Sequence, residues 1–151
     1  MPGYGIADAN SGKGLLRWSW ATELLDKAHN YFLSTVRVDG RPHTMPIWGV
    51  WLSGAFYFST GKSSVKARNL AANPNCVLCP ERADEAVIME GTVQTVTNRT
   101  VLKKFAKAYL AKYQWDVSEM GEPVYSIRPR VVFGLIEKEE NFTQTATRWR
   151  F

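Results

Sequence analysis

The densest chemistry in the chain lies in Phe58-Ser59-Thr60-Gly61-Lys62-Ser63-Ser64-Val65-Lys66-Ala67-Arg68. An apolar run leads into a Gly/Ser loop, and a short helical pattern, Val65 to Ala72, begins where the loop ends. A helix start leaves backbone N–H groups without internal partners and carries the positive end of the helix dipole, so it attracts anions. Ser59, Thr60, Ser63 and Ser64 add hydroxyls; Lys62, Lys66 and Arg68 add full positive charge. Lys66 and Arg68 stand two residues apart on a helix, so they point in different directions. Lys66, nearer the helix start, is the expected phosphate ligand, which leaves Arg68 to an acidic extension of the ligand or to water. The Gly-x-x-x-x-Gly-Lys spacing of a P-loop is absent. Composition alone also accommodates a solvated turn with ordinary surface lysines.

The other reactive side chains form weaker constellations. Cys76 and Cys79 are three apart in a strand-like run, which turns them to opposite faces. They read as buried thiols rather than a redox pair. A zinc site needs more ligands than these and the two histidines, His29 and His43, supply. His43 stands at the rim of a strand, in reach of a ligand or simply structural. Glu81, Asp84, Glu85 and Glu90 contain no convincing acid/base pair. No catalytic triad is visible, and no metal ligand set.

The elements that must position these residues follow from periodicity. Trp18, Ala21, Leu24, Leu25 and Ala28 recur at helical spacing, with Ser19 as the expected cap. Tyr31 to Val38, Pro42 to Leu52 and Ala55 to Thr60 are apolar runs separated by Asp39-Gly40 and Ser53-Gly54, which predicts an antiparallel meander. Asn73-Pro74 stops the helix of residues 65–72, whose apolar face is Ala67, Leu70 and Ala71. Cys76 to Cys79 and Val87 to Val96 are further strands. Asn98 caps a helix in which Leu102, Phe105, Ala106, Tyr109, Leu110 and Tyr113 share one face. Lys103, Lys104, Lys107 and Lys112 then face water or a partner; without base-stacking aromatics they do not point to nucleic acid. Trp115 to Val124 is a loop and Val131 to Glu137 the final strand. The expected fold is mainly β (α+β), a barrel of about six antiparallel strands with peripheral helices.

Length and composition agree with that. The 151 residues suit one domain, 45% of them are hydrophobic, and six Trp, six Tyr and seven Phe favour strands and a broad contact surface. Residues 1–14 read as a flexible arm and 15–151 as the single domain. The net charge of +5 favours acidic partners, phosphorylated ligands among them. No apolar run reaches a membrane span and none near Met1 resembles a signal peptide, so a cytoplasmic protein with reduced thiols and no membrane partner is expected.

Ser64-Val65-Lys66-Ala67-Arg68-Asn69-Leu70-Ala71-Ala72-Asn73-Pro74 resembles the flavin-phosphate segment of the pyridoxamine 5′-phosphate oxidase-like split β-barrel family. That segment reads Ser-Arg-Lys, then Leu and Asn-Pro at the same offsets, with a Thr six residues before the Lys, here Thr60. The likeness runs from about Trp18 to the C-terminus. Gly40-Arg41-Pro42-His43 into Pro46-Ile47-Trp48-Gly49, Lys66 to Leu70, and Thr147-Arg148-Trp149 are more similar to the subfamily that binds the deazaflavin F420 (B-type). Val65 replaces the family arginine, and Met45 to Val50 lacks the basic pair of the FMN oxidases; both departures favour F420 over FMN.

The resemblance implies a homodimer with the cofactor in a groove at its interface. Backbone groups around Pro46, Ile47 and Trp48 would meet the ring edge. Lys62, Ser64 and Lys66 would take the phosphate, with Ser59, Thr60 and Arg68 as further cofactor-binding residues. Arg148 and Trp149 would reach the partner subunit's site and cover a small conjugated substrate, or else form a plain interface strand. Hydride comes from the cofactor, so no catalytic side chain is expected. The alternatives are an FMN-dependent oxidase or reductase and a carrier of the same fold without turnover.

Overall fold

Alternation along the strands decides which side chains make the core. In β2 (Tyr31–Val36) Tyr31, Leu33 and Thr35 are buried while Phe32 and Val36 face outward, the period of two of a half-buried strand. The computed structural model describes residues 6–12, 15–137 and 145–151. Around β2 it places β1 (Ala7–Asp8), α1 (Trp18–Lys27), β3 (Pro42–Ile47), β4 (Val50–Leu52), β5 (Ala55–Ser59) and α2 (Val65–Ala72). Then come β6 (Asn75–Pro80), β7 (Glu85–Thr95), α3 (Arg99–Tyr113), β8 (Val124–Ile136) and β9 (Thr147–Arg150).

The strands form the split barrel that the sequence predicts. Antiparallel ladders run β3–β2–β6–β7–β8–β5–β4. The chain closes the ring covalently, because β3 leads into β4 through Trp48 and Gly49 without a ladder between them. Pro42 to Leu52, expected as one strand, is therefore two. The cause is tertiary: a Cβ on Gly49 would stand 2.3 Å from a ring carbon of Phe56 and 2.5 Å from the Tyr57 carbonyl oxygen, so only glycine lets the backbone bend past β5 there. Gly40 has the other backbone role; with φ +85 it completes the β2–β3 turn.

Tyr31, Leu33, Phe56, Phe58, Leu78, Met89 and Ile127 fill the barrel, and α1 adds Ala21 and Leu25. Each large side chain so buried contributes about 1.5–3 kcal/mol. A second cluster, Val50 with Phe105 and Tyr109, fixes α3 to the outside of β4.

Other expectations need correction. Ser19 lies within α1; Arg17 is the N-cap and makes no side-chain cap bond. The last long strand starts at Val124, not Val131, because its first residues pair with both β5 and β7. Within α2 Ala71 is exposed and Asn69 is buried in its place, donating from Nδ2 to Thr35 Oγ1 at 3.0 Å. Lys112 does not face water as Lys103, Lys104 and Lys107 do: its amine donates to the Asp26 carbonyl and the Tyr31 hydroxyl, both at 2.8 Å. Of the arm expected at 1–14, residues 1–5 and 13–14 lie outside the described residues. Ala7–Asp8 is tied down, in parallel register with Thr147–Arg148.

Candidate functional site

β5 ends at Ser59, whose hydroxyl donates to the Pro123 carbonyl at 3.0 Å. The chain then turns through Gly61 into α2. Ser64 caps that helix by accepting from the Ala67 N–H at 3.2 Å, the geometry its position before the helical pattern leads one to expect. Thr60 and Ser64 hydroxyls lie 3.3 Å apart, and the Lys66 amine donates to Thr60 Oγ1 at 3.2 Å. Thr60, Ser64 and Lys66 are thus brought together at one helix start, while the Ser59 hydroxyl is taken up by Pro123.

Lys66 is the cation of this cluster. Burial holds its amine below the usual lysine value, since a desolvated charge is disfavoured. Its hydrogen-bond partner is a neutral hydroxyl, and among the described residues it forms no ion pair. A half-buried amine without a counter-charge fits an anionic ligand group. Lys62 and Arg68 occupy the rim. The Lys62 side chain is exposed while its backbone N–H donates to Glu122 Oε2 at 2.9 Å. Arg68 folds back over the loop, donating to the Ser63 carbonyl at 3.2 Å.

Pro46, Ile47 and Trp48 end β3. That strand terminates the main path of the sheet, so its outer edge has no ladder partner among the described residues. Ile47 turns its side chain into the core and offers a ligand only backbone, whereas Pro46 is exposed and Trp48 is 40% exposed. A cavity of about 410 Å³ is lined by Asn30, Pro46, Ile47, Trp48 and Tyr109. A second, of about 230 Å³, is lined by Trp48, Tyr109, Ser59, Thr60 and Gly61, with Trp115, Val117, Met120 and Glu122 from the β8 approach. Trp48 and Tyr109 belong to both cavities and so connect the open strand edge to the anion-attracting loop.

Trp48 is held from two sides. Its indole N–H donates to Asn30 Oδ1 at 3.0 Å, and its ring stacks on Tyr113 at 4.7 Å with 7° between planes. The Tyr113 hydroxyl sits at the strand break itself. It accepts from the Gly49 N–H at 3.0 Å and lies 2.9 Å from the Gly49 and His29 carbonyl oxygens. Burial pushes its phenol up to about 12. Sequence reasoning took Tyr109 and Tyr113 only as apolar positions, and it missed Asn30 and Glu122. The one signal for the tyrosines was two hydroxyls, four residues apart, on an otherwise apolar helix face.

The tail residues stand apart. Trp149 is 7% exposed, packed in the core against Trp18 at 5.4 Å. Arg148 lies beside Asp8, 3.8 Å away, and neither residue lines the cavities around Trp48. His43 joins the Thr35–Asn69 network, with its Nδ1 3.4 Å from Thr35 Oγ1. Cys76 is buried and Cys79 partly so, and burial pushes the Cys76 thiol up to about 12. Among the described residues no three His, Cys, Asp or Glu side chains group to hold a metal. No described helix is long and apolar enough to cross a membrane.

A profile of the pyridoxamine 5′-phosphate oxidase family matches residues 21–140, most of the chain. The protein belongs to this family. Solved structures share the family fold at low identity. A conserved hypothetical protein from Mycobacterium tuberculosis superposes with a TM-score of 0.73 at 18% identity, over 84% of this chain and 89% of that one. An F420 reductase gives 0.60 at 21% identity, over 73% of this chain and 93% of that one. A heme binding protein from Mycobacterium smegmatis gives 0.66 at 17% identity, over 88% and 63% respectively. A search of curated proteins found no match to this sequence. Membership of the oxidase family supports an oxidoreductase or cofactor-binding role.

Proposed function

We propose that this oxidase-family member binds the deazaflavin F420 and passes hydride to a small conjugated organic substrate. The observation that carries this is the half-buried Lys66 amine, without a counter-charge among the described residues, which donates to Thr60 at the wall of a cavity that Trp48 and Tyr109 share with the one beside β3. Those features fit an anionic group at one end and a flat, edge-recognised ring at the other. Lys66, with Thr60 and Ser64, would hold the phosphate. Pro46 to Trp48 would present backbone to the ring edge, and Trp48 and Tyr109 would exclude water from its face. When bound, the deazaflavin supplies the hydride chemistry. Val65 and the uncharged Met45–Val50 support F420 over FMN.

A homodimer suits the outer side of β2 and the strand break, where Phe32, Val36 and Trp48 expose apolar surface. A carrier without turnover is the second reading. It is favoured by the cavity linings, in which Tyr109 and Glu122 are the titratable side chains and burial raises the Tyr109 phenol above its ordinary value.

Equilibrium titration with F420, FMN and heme side by side, followed by turnover with reduced F420, tests the proposal. Tightest binding of F420 with substrate reduction supports it. F420 binding without reduction favours the carrier, and preference for FMN or heme overturns the assignment.

A further inference from the structure

Loop residues 115–123 bring a negative charge into the anion-attracting loop. Glu122 Oε2 accepts the Lys62 N–H at 2.9 Å. Its Oε1 stands 3.9 Å from where a Cβ on Gly61 would be, so the carboxylate lies over Gly61–Lys62 and lines the cavity of about 230 Å³. The next residue is pinned too, because the Pro123 carbonyl accepts from Ser59 at 3.0 Å. The carboxylate therefore stands at the wall of a cavity that Thr60, the acceptor of the Lys66 amine, also lines, and it already takes one backbone donor.

We infer that Glu122 is a specificity-determining residue of this site, favouring a singly charged phosphodiester over a doubly charged phosphate monoester. This deepens the cofactor reading above and rests on it. A phosphate monoester such as that of FMN carries close to two charges at neutral pH, whereas a phosphodiester such as that of F420 carries one. The ligand meets the Lys66 and Lys62 charges as attraction and Glu122 as repulsion, and the repulsive part scales with ligand charge. For charges about 6 Å apart in water-like surroundings, that part is worth about threefold in affinity per ligand charge. A diester loses about threefold to Glu122 and a monoester about tenfold. A purely structural loop pin would leave the two ligand classes equally affected.

Glu122→Gln separates these roles, because the amide oxygen still accepts from Lys62 while the charge is gone. The Lys62 amide resonance would be followed by NMR during titration of wild type and variant. The probes are sulfate, a dianion, and dimethyl phosphate, a monoanion, and then FMN and F420. The inference expects the variant to bind sulfate about tenfold and dimethyl phosphate about threefold more tightly, with FMN shifted by the sulfate factor. An equal factor for both simple anions, no change, or no binding of either at Lys62 overturns it. If the simple anions behave as expected while neither FMN nor F420 binds, charge selection by Glu122 stands and the cofactor assignment is what fails.

Discussion

Replacing Lys66 by alanine isolates the charge at the start of α2. Burial already holds the Lys66 amine below the usual lysine value, and its partner is the neutral Thr60 hydroxyl at 3.2 Å. A phosphate oxygen would replace that neutral acceptor by a charged one, and a hydrogen bond to a charged group is worth about 1.5–3 kcal/mol. At about 1.4 kcal/mol per tenfold, Lys66→Ala should raise the Kd for F420 by about 10- to 150-fold. The fold should barely respond. Thr60 keeps Ser64 at 3.3 Å, so no buried polar group is orphaned, and the Tm should stay within about 2 °C. The assay is a fluorescence titration of both proteins with F420 and with the same deazaflavin ring lacking its phosphate. Loss confined to the phosphorylated ligand is expected. Equal losses for both ligands, or undiminished F420 affinity in the variant, would refute the reasoning.

Three further outcomes follow from the geometry around the strand break and the core. Tyr113→Phe leaves the Gly49 N–H without its partner and should cost about 2 kcal/mol, read as a lower urea midpoint. The Tyr113 phenol is raised from 10.0 to about 12, so it ionises more readily in the unfolded chain. Its contribution to stability is full below pH 10 and lost as pH rises towards about 12, and urea midpoints across that window should fall more steeply in wild type than in Tyr113→Phe. Gly49→Ala drives a methyl into Phe56 and the Tyr57 carbonyl and should destabilise by about 3 kcal/mol in the same assay. Native protein should react slowly with iodoacetamide, at Cys79 before the more buried Cys76, and quickly at both in urea.

Local signals made much of this legible. The helix Val65–Ala72 follows from Ser64 before it and Asn73-Pro74 after it, and Asn98 marks α3 by accepting the Thr100 and Val101 N–H groups. The alternation in β2 and the Asp39-Gly40 turn needed no tertiary knowledge either. What stayed hidden depends on partners distant in sequence. The division of Pro42–Leu52 is set by the Phe56 ring beside Gly49, although the segment itself reads as one apolar run. Lys112 looked like a member of a solvated face, but the Asp26 carbonyl and Tyr31 hydroxyl lie within its reach. Glu122 meets Lys62 across sixty residues of sequence, a contact no periodicity encodes. The Thr147-Arg148-Trp149 motif was visible, but not that Trp149 packs into its own core beside Trp18.

A crystal structure of the protein grown with F420 tests the central claim most directly. The account predicts the phosphate against Lys66 and Thr60, and the ring edge along Pro46 to Trp48. A cofactor seated elsewhere, for instance in the groove between Trp18 and Trp51, with Lys66 still bonded only to Thr60, would contradict it.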